Sequence, residues 1–592
     1  MRAGLALVAL LVVACRGETD FDAPPPRERP ERGMVVAESA LAAEVGAEVL
    51  RRGGNAADAG VATALALAVV HPQAGNLGGG GFALWVPVEG EATALDFRER
   101  APTGAEPALY VDGEGRPDPT LLQRGALAVA VPGSPAGLHE LFARHGSGRL
   151  SWSELVAPAI RLAREGFEVD AWLARDLADP ALRARLEAHP GSAALFYPGG
   201  APLGVGELLR QPELAVTLER YARSGPAGFY RGQTAGALLA ELATLAREAG
   251  RASLVGTVTA ADLEAYRVIA REPLRGWFRG QEVISMPPPS SGGIILLQVL
   301  AVLDGFPLHA ESEARLAELA AEGRAPGEAD PGGLDERILH WWIEALRRSF
   351  RLRAIDLGDP DQVDVPVETL LAPRWIARTR MSIGETARDE ASGEAPREGE
   401  NTTHLSVLDA EGNALSLTTT LNSSFGSGIL VRGAGFLLNN EMDDFALGLD
   451  VANQFGLVGG EANRVAPGKR PLSSMTPTVL RDGRRGVSLV IGAPGGPRII
   501  TAVIGVTLRQ LVFGQTLEQA VAAPRFHQQW SPAWTEFEPG WPEDLLEALR
   551  RRGHDARAVE RQWARVQAIA VAPDGSVSGA SDPRGGGAAV AP

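Results

Sequence analysis

The chain has 592 residues, of which 45% are hydrophobic and 22% are charged. This ordinary balance excludes a disordered or fibrous protein and favours one or two large domains. The net charge is −16 and Lys469 is the only lysine, so there is no basic cluster for phosphates and no nucleic-acid partner is expected.

The N-terminus carries a short apolar run followed by a cysteine. The run is shorter than the roughly 20 apolar residues that span a bilayer, so residues 1–14 are predicted to be a signal peptide. Small residues before Cys15 resemble the lipobox of bacterial lipoproteins, in which the cysteine is acylated; the alternative is a chance cysteine. Cys15 is the only cysteine, which excludes an intramolecular disulfide and a multi-cysteine metal site. Residues 15–32 are expected to be a flexible, lipid-anchored tether, with the protein periplasmic or on the cell surface.

The first predicted elements of the globular part are two helices and a strand. Residues 38–52 have apolar positions at helical spacing. Residues 56–70 are apolar on all sides, which predicts a buried helix capped by Asn55 and Asp58. Residues 75–88 are a glycine-rich loop leading into a strand. A phosphate-binding loop has the opposite order and a lysine, so these glycines are expected to allow close backbone approach.

The middle of the chain changes from helical to strand-like patterns. Residues 135–270 are mainly helical in pattern, with frequent proline and glycine. Residues 309–336 are acidic and alanine-rich and are predicted to be a surface insertion. Residues 381–401 are polar and are expected to be exposed. Alternating strand patterns follow, and the mixture of helices with two strand-rich regions predicts a layered α/β sandwich.

Two strand-like runs after the polar segment place threonines opposite each other. Residues 403–408 and 414–420 flank a turn-forming sequence. If they pair as an antiparallel hairpin centred on Glu411, Thr402 lies opposite Thr420, and a slip of one residue would destroy that pairing. A threonine hydroxyl is a poor nucleophile by itself, so the pair requires a base.

The sequence indicates an unusual source for this base. The G-x-S-x-G motif is absent, and His404 and His527 stand near apolar residues, where a structural histidine is expected. If the chain is cut before Thr402, however, the new α-amine, with a pKa of about 8, can take the proton from that residue's own hydroxyl. The polar segment that ends at Asn401 is a suitable place for such a cut.

Ordered short motifs run from about residue 33 to the C-terminus. Upstream they read 53-GGNAADA-59, 77-LGGGGF-82, 95-LDFRERAP-102, 131-VPGSPAG-137, 286-MPPPSSGG-293 and 357-LGDPD-361. Downstream they read 402-TTHLSVLDAEGNALSLTTTLNSSFGSG-428, 436-FLLNNEMDDF-445, 470-RPLSSMTP-477 and 492-GAPGGPRII-500. Together they resemble the γ-glutamyltransferase (γ-glutamyltranspeptidase) family of N-terminal-nucleophile hydrolases.

The resemblance implies an α+β fold, a four-layer αββα sandwich, in a protein that needs no metal or cofactor. It implies a proenzyme that cleaves itself between Asn401 and Thr402. The products would be a large chain, residues 33–401, and a small chain, residues 402–592, which together form one αββα unit. Thr402 would be the nucleophile of both the cleavage and the later reaction on substrate.

The resemblance also assigns roles around the nucleophile. Thr420 matches the threonine that holds and helps activate it, and the backbone N–H groups of Gly495 and Gly496 would form an oxyanion hole. Phe455 stands in a lid loop where a tyrosine commonly hydrogen-bonds the asparagine that matches Asn422. A phenylalanine cannot make that bond, which puts lid closure in question.

The remaining matched residues divide by charge, as a γ-glutamyl group requires. Arg98 would bind the α-carboxylate bidentately, with Ser473 and Ser474 as further donors. The acceptors for the α-ammonium would be Asn422, Glu441 and Asp444.

These assignments imply an autoprocessing γ-glutamyltransferase or glutathione hydrolase. Its glutamyl-enzyme would be resolved by water or by an amino acid or peptide acceptor. One alternative is a glutaryl- or cephalosporin-type acylase of the same superfamily, whose substrates lack the α-ammonium. Another is an inactive protein that binds γ-glutamyl peptides.

Overall fold

The computed structural model describes residues 30–250, 255–321, 333–387, 402–482 and 486–592. The predicted signal peptide, Cys15, most of the predicted tether and Asn401 lie outside the described residues. The helices are α1 (Ala40–Arg51), α2 (Ala56–Val70), α3 (Thr120–Gln123), α4 (Ser134–His145), α5 (Trp152–Glu165), α6 (Ala171–Ala178), α7 (Pro180–Glu187), α8 (Pro190–Phe196), α9 (Pro212–Ser224), α10 (Ala227–Tyr230), α11 (Gly232–Glu248), α12 (Ala260–Ala265), α13 (Gly292–Leu303), α14 (Leu308–Ala321), α15 (Glu336–Asp356), α16 (Val367–Leu370), α17 (Pro373–Met381), α18 (Arg498–Leu511), α19 (Leu517–Ala522) and α20 (Glu543–Arg551).

The strands belong to two large antiparallel sheets and two small ones. They are β1 (Met34–Ala37), β2 (Gly80–Val86), β3 (Thr93–Phe97), β4 (Phe167–Glu168), β5 (Leu208–Leu209), β6 (Ile269–Arg271), β7 (Leu274–Phe278), β8 (Gln281–Ser285), β9 (Thr402–Leu408), β10 (Ala414–Thr420), β11 (Thr478–Asp482), β12 (Val487–Gly492), β13 (Phe526–His527), β14 (Thr535–Phe537), β15 (Ala556–Ala558), β16 (Gln567–Val571), β17 (Val577–Ser581) and β18 (Ala588–Val590). The larger sheet has the order β18-β1-β9-β10-β2-β3-β6, and the second has the order β17-β16-β12-β11-β8-β7.

The alternation of side chains along the strands produces four layers. In β1, Val35 packs in one apolar core with α1 and α2, whereas Val36 packs in a second core with residues of the other large sheet. That second core continues through the six-stranded sheet to α13, α15 and α18. Because neighbouring residues of a strand face opposite sides, each large sheet is covered on both faces. The order of layers is therefore helices, sheet, sheet, helices, as expected for an αββα sandwich.

Helix α2 forms as its sequence predicts. The side chain of Asn55 accepts the N–H groups of Ala57 and Asp58, each at 3.0 Å, and Asp58 accepts the Asn55 N–H at 3.1 Å. This reciprocal capping satisfies N–H groups that a helix start otherwise leaves unpaired. Every residue of α2 is buried, so its apolar surface on all sides is matched by packing on all sides.

The acidic segment predicted as a surface insertion begins as α14, which buries Leu319. Residues 322–332 of that segment lie outside the described residues. Within the described ranges no single helix is long and apolar enough to cross a membrane. Helices α13 and α14 pass that test only as a pair bent by 68°.

Candidate active site

The predicted hairpin register is confirmed. Strands β9 and β10 pair antiparallel with Thr402 opposite Thr420, and the two Oγ1 atoms lie 3.2 Å apart. The backbone N–H of Asn422 donates to Thr420 Oγ1 at 2.8 Å, which fixes this hydroxyl beside the candidate nucleophile. Both threonines are buried, on a hairpin flanked by β1 and β2, so the pair rests on rigid elements.

A small cavity lies beside Thr402. Its volume is about 20 Å³, little more than one water molecule requires. The sequence-predicted residues that line it are Arg98, Thr402, Thr420, Asn422, Glu441, Asp444, Phe455, Ser473, Ser474 and Gly496. The fold thus brings together every predicted nucleophile, substrate-binding, oxyanion and lid residue except Gly495, which borders a neighbouring cavity.

Arg98 is the buried cation of this cavity. Its guanidinium donates to Glu441 and, at 2.5 Å, to Asp444, with Glu99 at 3.5 Å. Its Nε also donates to the backbone carbonyl of Pro471 at 3.1 Å. The predicted carboxylate-binding cation is therefore neutralised by the predicted ammonium-binding anions. A zwitterionic α-amino acid could pair its carboxylate with Arg98 and its ammonium with Glu441 and Asp444. No buried charge would then lack a partner, as a low-dielectric interior requires.

Burial shifts the pKa values of the ionisable groups in and next to this site. It raises the pKa of Glu441 well above its ordinary value, although Arg98 partly opposes the shift. Burial also raises the pKa of Glu99 and that of Asp443 to about 7 each. Burial lowers the pKa of Arg98, but the charges of Glu441, Asp444 and Glu99 outweigh it, so the net shift is upward. These upward shifts favour the protonated forms of Glu441, Glu99 and Asp443, so the charge of Arg98 is balanced mainly by Asp444.

Ser473 and Ser474 are held by the 286–293 motif. Ser473 N–H donates to the carbonyl of Pro289 at 2.8 Å, and the Ser291 hydroxyl donates to the carbonyl of Ser473 at 2.7 Å. The proline- and serine-rich motif thus supports the loop that presents the two hydroxyls to the cavity.

Arg353 is a residue that the sequence analysis missed. It is buried on α15 and donates to Ser291 at 3.1 Å and to Ser474 at 3.4 Å. No carboxylate of the described residues lies within 4.0 Å of it, and burial lowers its pKa to about 10. In sequence it is one of several arginines on a long helix, and nothing local distinguishes it from its exposed neighbour Arg351.

The glycines predicted to form the oxyanion hole have backbone conformations that favour glycine. Gly495 has φ +130° and Gly496 has φ +55°. A Cβ on Gly496 would lie 3.1 Å from the Phe455 ring, and one on Gly495 would lie 3.1 Å from Ala564 Cβ. This two-residue segment therefore runs between Phe455 on one side and Ala564 on the other, immediately before α18.

Phe455 covers the cavity, and a hydrogen bond from another residue holds the predicted lid in place. Its side chain lines the cavity and is 4% exposed. Asn422, the residue expected to lose a tyrosine partner, donates instead to the carbonyl of Asn440 at 3.0 Å. One residue before Phe455, the carboxamide oxygen of Gln454 accepts the Ser423 hydroxyl at 2.7 Å. A hydrogen bond thus still joins the lid to the segment after β10.

His404 and His527 are structural residues, in line with the sequence analysis. Burial lowers the pKa of each to about 3, so both imidazoles are neutral. His404 Nδ1 lies 2.8 Å from the Thr418 hydroxyl on the paired strand, and His527 Nδ1 lies 3.0 Å from Thr501 on α18. Among the described residues, no three His, Cys, Asp or Glu side chains are grouped to hold a metal ion.

The fold is that of an N-terminal-nucleophile hydrolase, a four-layer αββα sandwich, and Thr402 stands at the start of its internal strand β9. The family model described as Gamma-glutamyltranspeptidase matches residues 42–591, and the chain belongs to that family. It is 40% identical to a glutathione hydrolase proenzyme of Escherichia coli strain K12, over 94% of this chain and 91% of that protein. It is 41% identical to a Pseudomonas aeruginosa protein of the same description, over 94% of each chain. Among solved structures, a cephalosporin acylase from Bacillus halodurans matches with TM-score 0.77 and 27% identity, over 98% of this chain and 99% of that chain.

Proposed function

We propose that this protein is a self-cleaving γ-glutamyltransferase that hydrolyses glutathione and related γ-glutamyl compounds. The observation that carries the proposal is the small cavity, in which the paired hydroxyls of Thr402 and Thr420 lie with a charge-compensated arginine. Relatives described as glutathione hydrolase proenzymes, about 40% identical over nearly the whole chain, support the same substrate class.

The first step of the proposed mechanism is self-cleavage. The Thr402 hydroxyl attacks the carbonyl carbon of residue 401, the peptide C–N bond breaks, and an ester replaces the amide. Water then hydrolyses the ester, which releases the carboxylate of the large chain. The new α-amine of Thr402 can act as the general base for its own hydroxyl, because its pKa of about 8 lies near neutrality.

The second step is attack on substrate. Thr402 Oγ1 adds to the γ-amide carbonyl while the α-amine accepts the hydroxyl proton. The backbone N–H groups of Gly495 and Gly496 stabilise the oxyanion, a contribution of about 3 kcal/mol per donor in comparable sites. The proton passes to the departing amine, and a glutamyl ester remains on Thr402. Water or the amine of an acceptor then attacks this ester.

The charge pattern favours this substrate over the acylase alternative, even though an acylase is a structural neighbour. A glutaryl-type substrate brings a carboxylate but no ammonium. Its carboxylate would compete with Glu441 and Asp444 for Arg98. The substrate would bring no cation to take the place of Arg98 beside these two residues. An α-amino acid brings both charges, so each buried group keeps an opposite partner.

The decisive experiment is intact-mass analysis with N-terminal sequencing of purified protein. The expected wild-type result is two chains, one of which begins TTHLSV. The Thr402→Ala variant is expected to stay as one uncut chain, and Thr402→Ser, which keeps a hydroxyl, is the matched control that should still be cut. An uncut wild type, or a cut alanine variant, would contradict the proposed nucleophile.

Turnover separates the enzyme from an inactive binding protein. Release of glutamate from a γ-glutamyl anilide by the cleaved wild type is expected. Tight binding of γ-glutamyl peptides without any release would instead favour the binding protein.

We also propose that the protein is exported by residues 1–14 and anchored by a lipid on Cys15, on the periplasmic side or at the cell surface. The support is the sequence pattern of a short apolar run that ends at a lone cysteine. Cys15→Ser should move the protein from the membrane fraction to the soluble fraction. Retention in the membrane fraction would contradict the anchor.

A further inference from the structure

A second cavity adjoins the active site. Its volume is about 440 Å³, and four arginines line it: Arg175, Arg561, Arg565 and Arg584. None of the described residues that line it is Asp or Glu. Gly495 is part of its wall, whereas Gly496 is part of the wall of the small cavity. The two consecutive glycines thus separate a small cavity from a larger one that is lined by arginines.

The topology places this cavity at the same edge of the sandwich as Thr402. Gly492, Gln567 and Ser581 lie side by side at the ends of three strands, so the adjoining loops leave the six-stranded sheet together. These loops carry Gly495, Arg565 and Arg584. A Cβ on Gly492 would lie 2.3 Å from the ring of His404, two residues after Thr402 on β9. Thr402 therefore lies just beyond the end of β12, beside these loops.

One carboxylate links the cavity wall directly to the nucleophile strand. Arg565 Nε donates to Glu38 at 2.9 Å, and the other oxygen of Glu38 faces the His404 N–H at 3.4 Å. Glu38 directly follows β1, the neighbour of β9 in the larger sheet. The position of the arginine is thereby coupled to the start of the strand that carries Thr402.

Arg565 and Arg561 are more exposed to the cavity than the carboxylates that pair with them. The side chain of Arg565 is 21% exposed and that of Glu38 is 1% exposed. The same order holds for Arg561 at 29% and Glu536 at 10%. Arg584 is only 5% exposed and pairs with two buried carboxylates, Glu538 and Asp582, so its charge is balanced within the wall. Ion pairs of this kind hold guanidinium groups in fixed positions, and fixed guanidinium groups are well suited to bind a carboxylate.

We propose that this cavity binds the carboxylate of the leaving group, and of peptide acceptors, in the reaction at Thr402. The inference rests on the proposed function and specifies its substrate class: γ-glutamyl compounds whose amine part ends in a carboxylate. The amine part of such a tripeptide is a dipeptide, whose two residues span about 7 Å when extended. The glutamyl part binds beside Gly496, where the small cavity has to widen beyond its volume of about 20 Å³ to admit it, and the dipeptide carboxylate lies against the arginines beside Gly495.

The test compares two donors that share the glutamyl part. Glutathione releases an anionic dipeptide, and a γ-glutamyl anilide releases a neutral amine. In the double variant Arg175→Gln/Arg561→Gln, kcat/KM for glutathione is expected to fall about 10-fold, the typical loss for a charge-assisted hydrogen bond. The anilide value should stay within about 2-fold, because its leaving group has no carboxylate for the arginines to bind. The matched control is Arg557→Gln. Arg175 stacks on Trp172 and pairs with Asp176, and Arg557 likewise stacks on a tryptophan and pairs with an aspartate, but Arg557 lines neither cavity.

A binding measurement keeps this test independent of catalysis. Calorimetry should show that cysteinylglycine binds the cleaved wild type more tightly than its C-terminal amide does, and that the double variant loses this difference. Equal losses for both donors, or equal affinity of acid and amide for the wild type, would overturn the inference. Failure of the wild type to turn over the anilide would count against the proposed function. The comparison of acid and amide would still decide whether the cavity binds a carboxylate.

Discussion

The two cavities on either side of the Gly495–Gly496 segment differ in size and in charge. The cavity beside Thr402 has about 20 Å³ and balances Arg98 with Glu441 and Asp444. The cavity beside Gly495 has about 440 Å³ and is lined by arginines. A small site with balanced charges accepts a ligand only if each buried charge keeps a partner, and so selects a zwitterion. A larger site lined by arginines selects only the sign of a group, which suits a part of the substrate that varies.

The largest effect is expected from a substitution that removes the charge balance of the small cavity. Asp444→Asn should lower kcat/KM for a γ-glutamyl anilide about 10²-fold, because loss of one partner of a buried ion pair costs about 3 kcal/mol or more. Initial rates measure this. Asp450→Asn, at an exposed position of the same region, should leave the rate unchanged. Full γ-glutamyl turnover by Asp444→Asn would show that the ammonium is bound elsewhere.

The stability of the fold is expected to depend on pH through the buried carboxyl group of Asp443. The raised pKa of Asp443, about 7, means that the folded protein holds a proton there which the unfolded chain loses near pH 4. Stability should therefore decrease as pH rises from about 4 to about 7, by up to about 1.4 kcal/mol per pH unit from this group. In the uncut Thr402→Ala protein, adding Asp443→Asn should make the urea midpoint of unfolding depend less on pH between pH 5 and 7. Glu411→Gln, at an exposed turn, should not. An unchanged slope in Asp443→Asn would contradict the assignment.

A smaller effect is expected at Arg353, which supports the small cavity from behind. Arg353→Met should raise KM for the anilide about 10-fold and change kcat less, because Ser474 loses a charge-assisted hydrogen bond. Arg353→Lys should recover part of the loss, which a purely structural defect would not allow. Arg351→Met, at an exposed position of the same helix, is the control. Equal KM values for the wild type and Arg353→Met would remove Arg353 from substrate positioning.

The smallest effect concerns the lid. Phe455→Tyr adds one hydroxyl beside a cavity that is already covered, so the ratio of transfer to hydrolysis should change by about 2-fold, the scale of a weak net hydrogen bond. Product analysis with glycylglycine as acceptor measures this ratio. Phe513→Tyr, at a half-buried position elsewhere, should leave it unchanged. A change of more than tenfold would mean that lid closure, rather than the two cavities, controls access of water.

Local features of the sequence were sufficient to predict the elements around the nucleophile. The β9–β10 register follows from a short turn and alternating apolar residues, because a slip of one residue would reverse the faces of the strand. The cap of α2 likewise depends on residues three positions apart. The partners of Arg98 are different: Glu441 lies 343 residues away along the chain, so only the ordered motifs of the family indicated that they would meet.

The sequence by itself determined the hairpin, the buried α2 helix and, through its ordered motifs, the residues that meet at Thr402. Only the tertiary structure decided that Arg98 is neutralised by its own neighbours, that Arg353 lies behind Ser474, and that four arginines share a cavity with Gly495. The physical reason is the range of the interactions. Hairpins and caps join residues close in sequence, whereas a charged cavity is built from loops whose meeting point depends on the packing of both sheets.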